Sequence, residues 1–158
     1  MKDHSQHSFL VIVDRSEEMY KALRFAANRA RNVGGQVVLL GIIEPNEFQH
    51  WISVGEKMRE EASAELDLLL ARAKEEAVEI SSRPVLTFIR EGQPQEAIIK
   101  FITQEHKAQL LVLAADAQDS RGPGPLVSAF ATKAFAHLSV PITIVPGHLS
   151  DEAIDAIS

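Results

Sequence analysis

Short apolar runs alternate along this chain with longer segments in which apolar residues recur at every third or fourth position. The runs are rich in Val, Ile and Leu, and they occupy residues 9–13, 36–43, 84–89, 109–115 and 141–146. Runs of this length and composition predict buried β-strands, whereas the segments between them predict amphipathic helices. Strands that alternate with helices favour an α/β fold, in which a doubly wound, five-stranded parallel sheet carries helices on both faces.

The helical segments have recognisable ends. Ser16 is placed to cap the first helix, and Gly34 ends it because glycine tolerates the left-handed turn at a helix C-terminus. The apolar face of this helix is formed by Met19, Leu23, Ala26, Ala30 and Val33. We expect further helices at about residues 56–80, from Pro94 onward, and at about residues 126–138.

The polarity of the runs predicts which strands are central. The runs at 9–13, 36–43 and 109–115 are almost wholly apolar, as expected of strands that are covered on both faces. The run at 84–89 begins with a proline and contains a threonine, and the run at 141–146 is bounded by prolines. Both are therefore expected at the edges of the sheet. The strand order 3-2-1-4-5 satisfies these features, and it is the order that we expect.

The direction of this predicted sheet reverses between its first and fourth strands. Ligands of open parallel sheets bind at the carboxyl ends of the strands, beside such a reversal. The two loops that meet there begin at Asp14 and Ala115. We therefore expect any binding site to lie between these loops.

The loop after the fourth run contains Ser-Arg-Gly-Pro-Gly-Pro at residues 120–125, and two interpretations of it are open. The amides of Gly122 and Gly124 would suit a bound phosphate. The charge of Arg121 and the hydroxyl of Ser128 would add to such a site. Alternatively, the loop is a stiff corner that directs the following helix onto the sheet, since its prolines lack an N–H donor.

A second long loop follows the second run. Residues 44–55 contain Trp51, the only tryptophan of the chain, together with Phe48. Long loops of this kind serve as lids or as surfaces for a protein partner. Alternatively, these aromatic side chains hold the loop against the core. Both interpretations stay open from the sequence.

The composition of the chain excludes several classes of function. The 158 residues include no cysteine, which excludes disulfides, thiolate catalysis and thiolate metal ligands. The formal net charge is −6 and no basic stripe is present, so a nucleic-acid partner is not expected. Because no apolar run is long enough to cross a membrane, we expect a cytoplasmic protein with no membrane partner. The six histidines are scattered along the sequence, so no metal site is expected.

The chain divides into a flexible polar leader at residues 1–7, a single domain at residues 8–146 and a C-terminal extension at residues 147–158. The hydrophobic fraction of 46% is enough for one full core. In the extension, Ser150 is placed to cap a short helix with two isoleucines on one side.

Several motifs, in the correct order, resemble those of the universal stress protein family, whose fold is Rossmann-like with the strand order predicted above. The first run is followed by an Asp-x-Ser turn at Asp14 and Ser16. The segment EGQPQEAIIKFI, at residues 91–102, resembles the Gly-x-Pro-x-x-x-Ile signature of the family. The resemblance covers about residues 8–146, and on it the chain is identified as a bacterial member.

Members of that family that bind ATP carry Gly-x-x-Gly-x9-Gly-Ser/Thr after the fourth strand, and this chain departs from the pattern. The three glycine positions fall on Ala114, Ala117 and either Val127 or Ser128. The resemblance therefore implies a degenerate ATP-binding motif, with ATP or AMP as the candidate cofactors. It also implies an adenosine contact at Asp14 and an adenine contact at Ile43.

The resemblance further implies a homodimer that pairs through the strand at residues 141–146, with the amides of 142–145 free to do so. The implied function is a cytoplasmic stress-response module that holds an adenine nucleotide in a modified site. The alternative is a ligand-free dimeric interaction protein that acts through its surface and the 44–55 loop. An enzyme is the weakest interpretation, since the sequence has neither a Walker P-loop nor a Gly-x-Ser-x-Gly elbow.

Overall fold

The computed structural model describes residues 7–45, 52–116 and 122–158. Within them, five parallel strands form one sheet in the order β3-β2-β1-β4-β5. The strands are β1 (Ser8–Val13), β2 (Gln36–Ile43), β3 (Val85–Glu91), β4 (Leu110–Ala115) and β5 (Ile142–Pro146). The fold class and strand order predicted from the sequence are confirmed.

Helices cover both faces of this sheet. They are α1 (Met19–Val33), α2 (Ile52–Ser81), α3 (Pro94–Lys100), α4 (Pro125–Phe130) and α5 (Asp151–Ile157), with a π-helical turn at Phe101–Glu105 and a 3₁₀ helix at Lys133–His137. The first, second and fifth helices pack on the face that carries Val11 and Val13. The third and fourth pack on the face that carries Leu10 and Ile12. Central strands are thus buried on both sides, which explains their wholly apolar sequences.

The ends of α1 agree only in part with the sequence prediction. Gly34 ends the helix as expected, with φ 73° and an amide that donates to the carbonyl of Ala30. At the other end the N-cap residue is Glu18, so the prediction that Ser16 occupies this position is wrong. The hydroxyl of Ser16 nevertheless accepts a hydrogen bond from the amide of Met19 at 3.3 Å.

Val33 was expected on the buried face of α1, but it is 41% exposed. It lies in the last helical turn, where it lines an open groove at the amino-terminal edge of the sheet together with Leu110 and Pro141. Val33 therefore lies at the rim of the core and not inside it.

The helix predicted at about 126–138 is two elements in the structure. The α-helix ends at Phe130, and a 3₁₀ helix begins at Lys133. The hydroxyl of Thr132 bonds back to the carbonyls of Ser128 and Ala129 at 3.0 and 3.1 Å. Such back-bonding competes with helix continuation, and the backbone of Thr132 leaves the helical region with φ −118° and ψ −120°.

The C-terminal segment folds back onto α1. The hydroxyl of Ser150 accepts a hydrogen bond from the amide of Ala153 at 3.1 Å and so caps α5. Ile154 is fully buried in the core, whereas Ile157 is 62% exposed. The two isoleucines therefore do not share one buried side, contrary to the expectation from spacing.

Polar contacts hold α5 against the side of α1 that faces away from the sheet. The guanidinium of Arg24 donates two hydrogen bonds of 2.7 Å to the carboxylate of Asp155. The amide of Asn28, which is only 2% exposed, donates to the same carboxylate at 2.8 Å. Lys21 pairs with Asp151 at 3.1 Å. α1 is thus covered on two sides.

Two backbone hydrogen bonds fix how β5 faces its neighbour in the sheet. The amide of Leu111 donates to the carbonyl of Pro141 at 3.0 Å, and the amide of Gly147 donates to the carbonyl of Ala115 at 2.9 Å. In a parallel ladder, every second residue of a strand turns its backbone polar groups to the same neighbour. Residues 141, 143, 145 and 147 therefore face β4.

The amides of Ile142 and Ile144 point outward from the open edge of the sheet, in the direction opposite to β4. The expectation that all amides of residues 142–145 are free is wrong for Thr143 and Val145, whose polar groups belong to the ladder with β4. The outer edge of β5 therefore offers alternate amides, at the spacing that pairing with another strand requires.

Candidate functional site

A crevice opens at the carboxyl ends of β1 and β4, where the strand order reverses. This β1–β4 crevice encloses about 170 Å³. Its apolar part is built by Ile12 and Leu113 from the strands, Met19 and Ala22 from α1, and Leu126 from α4. It lies where the sequence predicts a ligand.

A second cavity, of about 340 Å³, lies between the ends of β1 and β2 and the helix α2. In this β1–β2 cavity, Ile43 and Leu66 are buried, and Leu69 completes the apolar wall. Asp14 lines both the cavity and the crevice. The two spaces are neighbours that meet at one carboxylate.

Asp14 directly follows β1, and its side chain closes the turn that leads toward α1. Its Oδ1 atom accepts hydrogen bonds from the amide of Ser16 at 2.8 Å and from the hydroxyl of Ser16 at 2.5 Å. These bonds form the Asp-x-Ser turn that the sequence motif at Asp14 and Ser16 indicates. Because the same side chain lines both spaces, the turn also fixes a carboxylate at the site.

A backbone hydrogen bond joins the two ends of the loop after β4. The amide of Asp116 donates to the carbonyl of Pro123 at 3.1 Å. Gly122 and Gly124 have φ of 71° and 101°, in the left-handed region that favours glycine. Pro123 and Pro125 have no N–H to offer a ligand. The described part of the loop thus combines a tight turn with few free donors.

The structure brings several of the predicted site residues together, and it leaves Gly122 and Ser128 exposed and outside the described lining of the crevice. Asp14 and Gly124 line the β1–β4 crevice, and Ile43 lines the β1–β2 cavity. Ala115 is half-buried at the end of β4, between two residues that line the crevice. Ser128 lies exposed, one turn inside α4, away from the described lining of the crevice.

Three of the sequence-based predictions concern residues that the structure does not describe. Arg121 lies outside the described residues, and so do residues 46–51 of the predicted 44–55 loop and residues 1–6 of the predicted flexible leader. All three remain predictions.

Sequence reasoning missed the helical walls of the site. Glu18 and Met19 at the start of α1 line the crevice, while Ala62 and Glu65 of α2 line the β1–β2 cavity. The helix α2 carries many small and acidic residues. In both helices, the periodicity of the apolar residues does not show which of the other residues face a ligand site.

The crevice is acidic. Asp14, Glu18 and Asp116 line it, and its described lining contains neither Lys nor Arg. In the neighbouring cavity the guanidinium of Arg15 is paired with the carboxylate of Glu65. Over the described ranges, no group of three His, Asp or Glu side chains is arranged to hold a metal ion. The arrangement suits a small ligand with a flat apolar part and hydroxyl groups.

Comparison with known families gives one match. The model of the universal stress protein family matches residues 7–146. No curated protein matches the chain by sequence. Within the part of the chain that the structure describes, no helix has the length and hydropathy needed to cross a bilayer.

Solved structures share the fold at low sequence identity. Universal stress protein UspA from Lactobacillus plantarum superposes with a TM-score of 0.74 at 18% identity, over 89% of this chain and 98% of that chain. A universal stress protein in complex with cAMP gives 0.64 at 16% identity, over 90% and 98% of the two chains. The universal stress protein from Archaeoglobus fulgidus in complex with dAMP gives 0.62 at 18% identity, over 88% and 97%.

Proposed function

Because the chain belongs to the universal stress protein family, we propose that it is a stress-response binding module that takes an adenine nucleotide at the strand reversal. The observation that carries the proposal is the meeting of the β1–β4 crevice and the β1–β2 cavity at Asp14. Binding, rather than catalysis, is the activity we assign to the site, since a cleft with apolar walls and a few fixed polar groups suits a small ligand.

The shape and chemistry of the site suggest how the ligand lies. The adenine ring enters the β1–β2 cavity against Ile43 and Leu66, since a flat ring suits its apolar wall. The ribose hydroxyls donate to the carboxylate of Asp14, and the phosphate turns toward the β1–β4 crevice. Two neighbours of the fold were solved with cAMP and with dAMP, which supports an adenine nucleotide as the ligand class.

Filling the β1–β2 cavity tests this proposal. Ala62 is half-buried and lines the cavity, so the phenyl group of an Ala62→Phe variant would occupy the place of the base. We expect its affinity for cAMP, measured by calorimetry, to fall by about tenfold or more. The matched control is Ala64→Phe, which adds the same group at an exposed position of the same helix.

The control variant should bind cAMP as the parent does. Equal affinity of Ala62→Phe and the parent would place the base elsewhere. If the parent itself binds neither cAMP nor adenosine, the binding function fails altogether.

The proposal includes a cytoplasmic homodimer paired through residues 141–146. Its support is the outer edge of β5, where Ile144 is 44% exposed, and the nearby 3₁₀ helix, in which Phe135 is 60% exposed. An edge strand with free amides and apolar side chains favours pairing with a second copy.

A further inference from the structure

We propose that the outer face of α1 is a docking surface for an acidic amphipathic helix of a protein partner, and that α5 is a resident helix which this partner displaces. The α1 docking surface is formed by Lys21, Arg24 and Asn28, all of which contact α5. None of these three residues lines the β1–β4 crevice or the β1–β2 cavity, so the inference goes beyond the proposed function.

The helix that covers this surface is an addition to the family domain. The family model matches residues 7–146, and α5 follows that range. The amide of Gly147 donates to the carbonyl of Ala115 at 2.9 Å, and a Cβ at Gly147 would meet that oxygen and the side chain of Glu18. The chain is therefore held in place up to Gly147, and only residues 148–158 need to move for the surface to open.

The contacts of α5 specify an acidic helix. Asp151 and Asp155 lie one turn apart and form ion pairs with Lys21 and Arg24. Ile154 lies on the same side of the helix and is fully buried in the core. These positions are i, i+3 and i+4, the spacing at which an amphipathic helix places its anchors on a partner. A partner helix with the pattern Asp-x-x-Ile-Asp can make the same contacts.

The resident helix is held weakly. α5 has only 7 residues, and a helix of this length is not stable without its contacts. Ile154 is its one buried side chain, whereas Ile157 is 62% exposed. The carboxylates of its ion pairs lie at the exposed surface, where each pair adds little stability. Local opening of such an element requires much less free energy than global unfolding.

Electrostatics favour a longer helix over α5 on this surface. Glu76 of α2 is half-buried and lines the same groove as Asp155. Burial raises the pKa of the Glu76 carboxyl, Arg24 lowers it, and Asp151 raises it because the two carboxylates repel each other. Asp155 also lies in the last turn of α5, where the helix dipole disfavours a negative charge. A partner helix that continues past this position avoids the unfavourable end.

A synthetic helix tests the proposal on the full chain. The probe is a fluorescent peptide of residues 148–158, extended at its C-terminus by about two helical turns of alanine and lysine. It is titrated into the parent and into the Asp155→Asn variant, and binding is followed by anisotropy. The variant loses hydrogen bonds that Arg24 and Asn28 donate to α5, so its surface is open more often. We expect the variant to bind the peptide about tenfold more tightly than the parent, because the resident helix competes less.

Two further variants identify the surface. Glu152→Gln is the matched control, since it removes a carboxylate from α5 at an exposed position with no side-chain hydrogen bond or ion pair within the described residues. It should bind the peptide as the parent does. Adding Arg24→Met to Asp155→Asn should weaken peptide binding by about tenfold, because the resident helix has already lost its hydrogen bonds to Arg24 and only the peptide still uses them.

Hydrogen exchange of the parent chain is an independent measurement that needs no variant. The amides of α5 should exchange at least about tenfold faster than those of β1, because α5 opens without the rest of the fold. Saturating peptide should accelerate the exchange of α5 further, since the displaced helix loses its protection.

Three results would overturn the proposal. The first is equal affinity of the parent and Asp155→Asn for the peptide, or no binding to either. The second is peptide binding that leaves the exchange of α5 unchanged, because the peptide would then lie elsewhere. The third is protection of α5 that rises with protein concentration, which would assign the surface to α5 of a second copy.

Discussion

At the scale of single residues, one carboxylate organises the contact between the C-terminal helix and the body of the protein. The guanidinium of Arg24 and the amide of Asn28 both donate to Asp155. The hydrogen bonds from Arg24, and then from Asn28, lower the pKa of Asp155 from 3.8 to about 2. The pKa of Arg24 is raised in turn, chiefly by the hydrogen bond that its guanidinium donates to Asp155.

This pKa predicts how the stability depends on pH. Because the folded-state pKa of Asp155 is lower than its unfolded value, the carboxylate stabilises the fold above about pH 4 and loses that effect as the pH falls toward 2. Asp155→Asn should therefore lower the melting temperature at neutral pH, and the difference from the parent should shrink below pH 4. Thermal unfolding, monitored by circular dichroism at each pH, measures this difference in melting temperature.

A double-mutant cycle assigns this effect to the ion pair. In an Arg24→Met background, Asp155→Asn should have a smaller effect, since the partner of the carboxylate is gone. An unchanged effect of Asp155→Asn in that background would contradict the role given to Arg24.

Asp14 and Glu18 show what could and could not be predicted at this scale. Asp14 was predictable because it follows an apolar run directly, and the end of a central parallel strand has a defined place in the sheet. Glu18 was not, because two adjacent glutamates at a helix start look alike in sequence. Which of them faces the crevice depends on the rotation of α1, which packing decides.

At the scale of elements, the strands were predictable and the partner of α5 was not. A strand buried on both faces needs an unbroken apolar run, so the polarity of the runs distinguished the central strands from the edge strands. The outer side of α1, by contrast, carries Lys21, Arg24 and Asn28, which is typical of a solvated helix face. Only the fold shows that α5 covers it through polar groups. The break in the helix at Thr132 was not predictable either, since it depends on a hydrogen bond from the threonine hydroxyl to the carbonyl of Ser128.

The isoleucines of α5 provide a test of this packing. Ile154 is fully buried, so Ile154→Ala should lower the free energy of unfolding by about 2–4 kcal/mol through lost burial and the cavity left behind. Ile157 on the same helix is 62% exposed. Ile157→Ala should therefore change stability by no more than about 0.5 kcal/mol. Urea denaturation measures both, and equal losses in the two variants would mean that α5 is not docked as described.

At the scale of the whole molecule, the two edges of the sheet differ in what they present. The β3 edge carries Thr87 and Arg90, a polar sequence that discourages association. The β5 edge carries Ile142 and Ile144 at the positions whose amides point outward. Both edge strands turn alternate amides outward, so it is the more apolar character of the β5 edge that favours it as the surface where a second copy adds to the sheet.

The outward direction of these amides decides which substitution tests the dimer. In an antiparallel pair across a two-fold axis at Thr143, Ile142 of each copy exchanges hydrogen bonds with Ile144 of the other. Ile144→Pro removes one of those donors while leaving the ladder to β4 intact, since edge strands tolerate proline at outward-facing positions. We expect the Ile144→Pro variant to sediment as a folded monomer at concentrations where the parent is a dimer.

Two further variants serve as controls. Ile144→Val keeps the amide and should remain dimeric, whereas Thr143→Pro should destabilise the fold itself because that amide faces β4. A dimer that survives Ile144→Pro, or a parent that is monomeric at micromolar concentration, would show that the copies do not pair through this strand.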